Sequence, residues 1–205
     1  MTVKKVGGTM SDADEAFKQL VRSSRTYRRY SGDALTDGQV RALLDVARLA
    51  PSGNNLQVLR VRYTVEHETC VKLSQHHGWA AALKGFDGPA AGEEPGAYVG
   101  ITCPQASATS AIRLMDVGIL AQTLCLAAAA EGLGTCMIKS FDSEAAELLG
   151  VPDDMQLLLM IALGVPASDE KIVLEDADTE HGVHYWRSEG NVHHVPKISV
   201  DDLLS

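Results

Sequence analysis

Four arginines fall within residues 22–30, as Arg22, Arg25, Arg28 and Arg29, interleaved with Ser23, Ser24, Thr26 and two tyrosines. Guanidinium groups grip phosphate and carboxylate oxygens through paired N–H donors, and short hydroxyls add neutral donors, so this mixture suits an anionic ligand. A solvated helix end is the competing reading of such a run taken alone. Further polar features follow along the chain: the turn-forming segment Pro51-Ser52-Gly53-Asn54-Asn55-Leu56-Gln57, the pair Lys139-Ser140, and an isolated Lys197. Each is weak by itself, because arginines also cap helices and asparagines also make turns.

Other chemistries lack their signatures. No Gly-x-Gly-x-x-Gly turn follows a strand, and neither a phosphate-binding Gly-x4-Gly-Lys-Ser/Thr loop nor a Gly-x-Ser-x-Gly elbow occurs. Cys70, Cys103, Cys125 and Cys136 form no Cys-x-x-Cys pair, and buried free thiols are expected. His193 and His194 are adjacent, so on a strand they point to opposite faces and do not share an ion; His181 and His184 add nothing at zinc-site spacing. No metal is expected.

Positioning these groups takes a folded domain, and the composition supplies one: 205 residues, 45% hydrophobic and 22% charged. Acidic residues outnumber basic ones by 27 to 18, for a net charge of −9, which argues against nucleic acid as a partner and requires any anion to be held by a local basic cluster. Residues 1–10 read as a flexible tail with no signal-peptide run, and residues 11–205 as a single domain in the cytoplasm. The apolar stretch 111–130 contains Arg113, Asp116 and Gln122. A charge at a bilayer centre costs about 3 kcal/mol on insertion scales, so we expect a core or interface helix and no membrane span.

Hydrophobic periodicity then sets out the elements. Ser11 with Asp14 opens a helix carrying Phe17, Leu20 and Val21 on one side; Thr36 with Gln39 caps a second, with Val40, Leu43, Leu44 and Ala47 facing the core. Strands are expected over 59–65, 97–103, 135–138 and 155–163, and short helices over 68–75 and from Asp142 to Leu149. The segment 66–96, punctuated by glycines and holding Trp79 and Phe86, reads as a cover over a site. Extended structure broken by loops is expected over the last forty residues. This order describes an α+β sandwich, a small mostly antiparallel sheet flanked by helices. Residues 114–130 are apolar nearly all round, which calls for burial on every side and hence a subunit interface.

Taken together and in order, these features resemble the nitroreductase family of FMN-dependent oxidoreductases. The family's Arg-Arg-Ser-x-Arg-x-Phe pattern is similar to Ser24-Arg25-Thr26-Tyr27-Arg28-Arg29-Tyr30, and its Ala-Pro-Ser-x-x-Asn-x-Gln segment to residues 50–57. The long helix running into Gly132-Leu133-Gly134, then Thr135-Cys136-Met137-Ile138, and the breaks at 149–152 and 163–166 extend the likeness over residues 11–205. The resemblance implies a homodimer with FMN at the subunit interface. Arg25, Thr26 and Arg28 would grip its phosphate, ribityl chain and pyrimidine edge, with Lys197 approaching the phosphate. Pro51, Ser52, Gly53, Asn55 and Gln57 of the second subunit would border the ring, and the backbone of Met137, Ile138, Lys139 and Ser140 would run past its N5 side. It also implies ping-pong transfer of hydride from NADH or NADPH to a nitroaromatic, quinone or similar small acceptor, with no side chain as catalytic acid or base. Same-fold enzymes of dehalogenation, flavin destruction or dehydrogenation, and an FMN-binding sensor, stay open as alternatives. The chain departs from the family in three places: Ser24 for an arginine, with Arg22 as a stand-in; Val58-Leu59 for Pro-Trp; and Lys139-Ser140 where a glycine-containing pair is common.

Overall fold

The computed structural model describes residues 12–80, 83, 85–178 and 180–205. The tail expected over residues 1–10 and the Ser11 end of the first capping box lie outside the described residues. Helix α1 (Asp12–Ser23) places Asp12, Asp14 and Glu15 in its first turn and Arg22 in its last, as the helix dipole favours. None of its residues is buried and Phe17 is 60% exposed, so its expected apolar side is open in the single chain. Helix α2 (Asp37–Ala47) starts from the expected capping box: the Thr36 hydroxyl accepts from the Gln39 amide, and the Gln39 carbonyl oxygen accepts from the Thr36 amide at 2.9 Å. Val40, Leu43 and Ala47 are its buried face.

Four strands make the main sheet, in the order β1 (Arg60–Thr64), β2 (Ala97–Pro104), β4 (Met155–Gly164), β3 (Gly134–Ile138), every neighbouring pair antiparallel. The two central strands are buried on both faces, and the period of two along β2 divides the core. Val99 and Ile101 pack with Val40 and Leu43 of α2 and with Ala121 and Leu124 of α4 (Ala111–Ala130). On the opposite face Tyr98 joins Leu73 of α3 (His67–Leu73) and Ala145 of α5 (Ser143–Leu148), whose N-cap is Asp142. All four cysteines are buried free thiols, and burial pushes Cys70 up to about 12 and Cys136 to about 11.

Helix α4 is long and apolar enough to cross a membrane, yet it buries the ion pair Arg113–Asp116 together with Val117, Ala121, Leu124 and Ala128 inside the protein. Burial on every side is not met within one chain. Ile112, Met115 and Ile119, spaced as one stripe, are 50%, 65% and 40% exposed.

The last forty residues form a second sheet, β5 (Lys171–Asp176), β6 (Trp186–Ser188) and β7 (Val192–Lys197), in the order β5-β7-β6, followed by α6 (Val200–Leu204). Strand β5 runs parallel to β7. Extended structure was expected over this stretch, but parallel pairing to a distant segment leaves no local mark and was not anticipated.

In the segment 66–96, expected as a cover, the two aromatic side chains are both engaged by the protein itself. The Trp79 ring is buried in the core, donating to the Ser74 carbonyl at 3.1 Å, and Phe86 lies under the Arg187 guanidinium at 5.1 Å. Apolar side chains in this stretch were free to join the core because α3 and the loop after it lie directly on β2.

Candidate functional site

Beyond α1 the chain crosses the edge of β3. Thr26 bridges Thr135, and the Tyr27 amide donates to the Thr135 carbonyl at 2.9 Å. Gly134 is required here, since a Cβ would strike the Tyr27 ring. This crossing sets Ser24, Arg25, Thr26 and Arg28 on one wall of a cavity of about 430 Å³. Met137 of β3 lines a second wall, and Tyr185 with His193, Val195 and Lys197 a third. The last three alternate along β7, so they share one face of the strand over about 13 Å at 3.3 Å per residue.

The arginines of the basic run have different fates. Arg29 is neutralised by Glu93 at 2.6 Å, Asp169 at 3.1 Å and Glu170 at 3.4 Å, and Glu93 first, then Asp169, raise its pKa. Arg22, the expected stand-in for the family's missing arginine, does not line the cavity; Ser24 does, its hydroxyl donating to the Cys125 carbonyl. Arg28 is 8% exposed and has no carboxylate partner among the described residues. Its Nε donates to the Trp79 carbonyl at 2.9 Å, its Nη1 to His193 Nε2 at 3.5 Å, and its guanidinium lies 5.0 Å from the Tyr185 ring centre. Arg25 gives one Nη2 bond to the Val21 carbonyl at 2.6 Å, while burial lowers its pKa. Arg25 Nε and His193 Nδ1 are buried without a hydrogen-bond partner. A buried cation without a carboxylate, as Arg28 is, and an orphaned donor such as Arg25 Nε are costly unless a ligand completes them, so the donor set fits a phosphate-bearing group.

Residues 51–57 lie elsewhere. Pro51, Ser52 and Gln57 line a second cavity of about 470 Å³, and Gly53 and Asn55 form a single 3-10 turn between them. Asn54, Asn55 and Gln57 take positive φ angles of 54°, 54° and 49°, a strained conformation held from outside. The clamp is the buried Arg113–Asp116 pair at 2.7 Å: Asp116 Oδ1 accepts from the Gly53 amide at 2.8 Å, and the Ser52 hydroxyl accepts from the Gln57 amide. A side chain at Gly53 would collide with Ile112, which is why the loop sits so close to α4. The single chain does not bring this loop to the Arg25 cavity.

Along β3 and beyond, Met137 is 41% exposed at the cavity, whereas the Ile138 side chain is buried in the core. Lys139 is exposed, its Nζ 5.1 Å from the Phe141 ring, and the Ser140 carbonyl accepts from the Gly78 amide at 2.8 Å. Lys197 closes the far end of the cavity wall. Sequence reasoning passed over Tyr185 and His193; only their alternation with Lys197 toward one strand face carried a signal. His193 is 2% exposed, and His194 on the opposite face bonds Glu175 at 2.9 Å.

Solved structures share this architecture. A nitroreductase family protein from Clostridium novyi aligns with a TM-score of 0.61 at 21% identity, over 74% of this chain and 86% of that one. An FMN-dependent nitroreductase from Clostridium difficile aligns at 0.59 and 22% identity, over 76% and 92%. The chain has the nitroreductase fold. Its residues 104–165 match the nitroreductase family model. An NADPH-flavin oxidoreductase of Vibrio harveyi is 27% identical over 171 residues, 75% of this chain and 67% of the relative. A Cr(VI) reductase of a Pseudomonas species is 24% identical over 166 residues, 76% and 68%. The chain is thus similar to nitroreductase-family proteins in fold and, over residues 104–165, in sequence.

Proposed function

We propose that this protein is an FMN-dependent oxidoreductase that carries two electrons from NADH or NADPH to a nitroaromatic, quinone or similar small acceptor in a ping-pong cycle. The observation that carries the reading is the set of buried or orphaned cationic donors, Arg25 and Arg28 above all, that faces one cavity without carboxylates. The names of the relatives, a flavin oxidoreductase and an FMN-dependent nitroreductase, agree with it. When bound, FMN supplies the redox chemistry by taking hydride at its N5 and passing two electrons on.

The protein's part is to bind and orient. Arg25, Thr26 and Lys197 hold the phosphate and ribityl chain through charge-assisted and hydroxyl hydrogen bonds. The undiminished charge of Arg28 favours negative charge at the pyrimidine edge. The backbone of Met137, Ile138, Lys139 and Ser140 supports the opposite side of the ring. A second subunit, docked on the exposed stripe Ile112, Met115 and Ile119, brings its own Pro51, Ser52, Gly53, Asn55 and Gln57 to border the ring. The strained loop is clamped by Arg113–Asp116 at the foot of that same stripe, which supports interface formation and site completion as one event.

The test is anaerobic addition of NADPH or NADH to FMN-loaded protein, followed by a nitroaromatic or quinone. Bleaching of the flavin and its recovery with the acceptor are expected. Protein that binds FMN but is reduced by neither nicotinamide would instead favour the sensor reading.

A further inference from the structure

Arg28 and Arg29 are neighbours with opposite electrostatic settings. Arg29 is surrounded by three carboxylates, whereas each partner of Arg28 is uncharged: a carbonyl, an imidazole and a phenol ring. An arginine bonded to a carboxylate is a neutral pair and has little field left for a ligand; one held by neutral acceptors keeps its charge. Histidine is suited to this task, because neutral imidazole accepts at one nitrogen and donates at the other. Arg28 can only donate, so His193 Nε2 is the acceptor and the ring proton sits on Nδ1, the atom that is buried without a partner. Surroundings keep the ring neutral: burial first, then Arg28 and Arg187, lower its pKa to about 4. Arg187, opposite His193 on β6, is itself bonded to Glu170 at 2.5 Å, and Lys197 stands at the other end of the same strand face.

We propose that His193 is a positioning residue of the anion cavity: it fixes the Arg28 guanidinium through a neutral acceptor, preserving that cation's charge for the flavin. The proposal rests on the FMN reading and adds to it a residue whose lack of charge is the functional property.

Three variants separate this role from that of an ordinary structural hydrogen bond, with FMN affinity read by flavin fluorescence and folding by the melting temperature of the ligand-free protein. His193→Gln keeps an acceptor and a donor and is expected to bind FMN within about threefold of the parent. His193→Phe keeps neither and is expected to bind about tenfold more weakly. His193→Glu makes the strongest bond to Arg28 of the three, yet neutralises it, and is expected to bind at least about tenfold more weakly. Tight binding by His193→Glu, equal to that of His193→Gln, would overturn the proposal, as would a His193→Phe affinity equal to the parent's. If His193→Glu does not fold, the Gln and Phe pair decides alone. Parallel titration with inorganic phosphate separates the two levels of the argument. A parent that takes up phosphate but not FMN refutes the flavin reading, and the variants' phosphate affinities then support the His193 proposal if ordered as above and overturn it if not. A parent that takes up neither refutes both.

Discussion

At the scale of single residues, charge compensation separates two adjacent arginines. Arg28 and Arg29 are both largely buried, and sequence position alone does not separate them. Arg28→Ala removes an uncompensated cation from the cavity and is expected to weaken FMN binding by about 10- to 100-fold, the cost of a lost hydrogen bond to a charged group. Arg29→Ala is expected to leave FMN affinity within about threefold, since its guanidinium is spent on Glu93, Asp169 and Glu170. It should instead destabilise the fold by about 2 kcal/mol, because Glu170 is 1% exposed and would keep only Arg187 as partner. Flavin titration and urea unfolding of the two variants, run side by side, check both halves; equal loss of FMN affinity would contradict the distinction.

At the scale of elements, the 51–57 loop depends on α4. Asp116→Ala removes the acceptor of the Gly53 amide and leaves Arg113 buried without its counter-charge, an expected loss of about 3–5 kcal/mol in urea unfolding. Replacing both partners with apolar residues should recover much of that stability but not the loop, whose three positive-φ residues lose their tether. The elements with strong local signals were readable from sequence: the Thr36–Gln39 and Asp142 caps, the apolar strands β2 and β4, and the Pro-Ser-Gly-Asn turn all occur where their residues placed them. What escaped was non-local. The parallel β5–β7 pairing, the packing of Trp79 into the core, and the meeting of His193 with Arg28 across 165 positions of chain follow from tertiary contacts that no local pattern encodes. That Arg25, Arg28 and Lys197 share one cavity was foreshadowed by the resemblance; the neutral groups around Arg28 were not.

At the scale of the whole molecule, two expectations follow, one of assembly and one of pH. Met115 is 65% exposed in the middle of the α4 stripe, so Met115→Glu is expected to shift the protein to monomers in sedimentation and to weaken FMN binding in parallel. A monomeric variant with parental FMN affinity would contradict a shared site. The pH expectation rests on two histidines. Burial lowers His77, whose Nε2 meets the Tyr98 hydroxyl at 2.8 Å, to about 4, and lowers His193 to about 4 as well. Both folded values lie below 6.5, so between pH 6.5 and 4 the unfolded chain binds protons that the native protein does not. Stability is therefore full above pH 6.5, falls as the pH drops toward 4, and receives no further change from these groups below that. Each contributes about 3 kcal/mol across the window, read as a falling urea midpoint.

The central claim is that the Arg25–Arg28 cavity holds FMN, and the visible absorption spectrum of the protein purified after incubation with FMN tests it most directly. We predict a flavin spectrum at one FMN per chain, with peaks displaced from those of free FMN, and its loss in Arg28→Ala; a colourless protein that takes up no FMN would contradict the account.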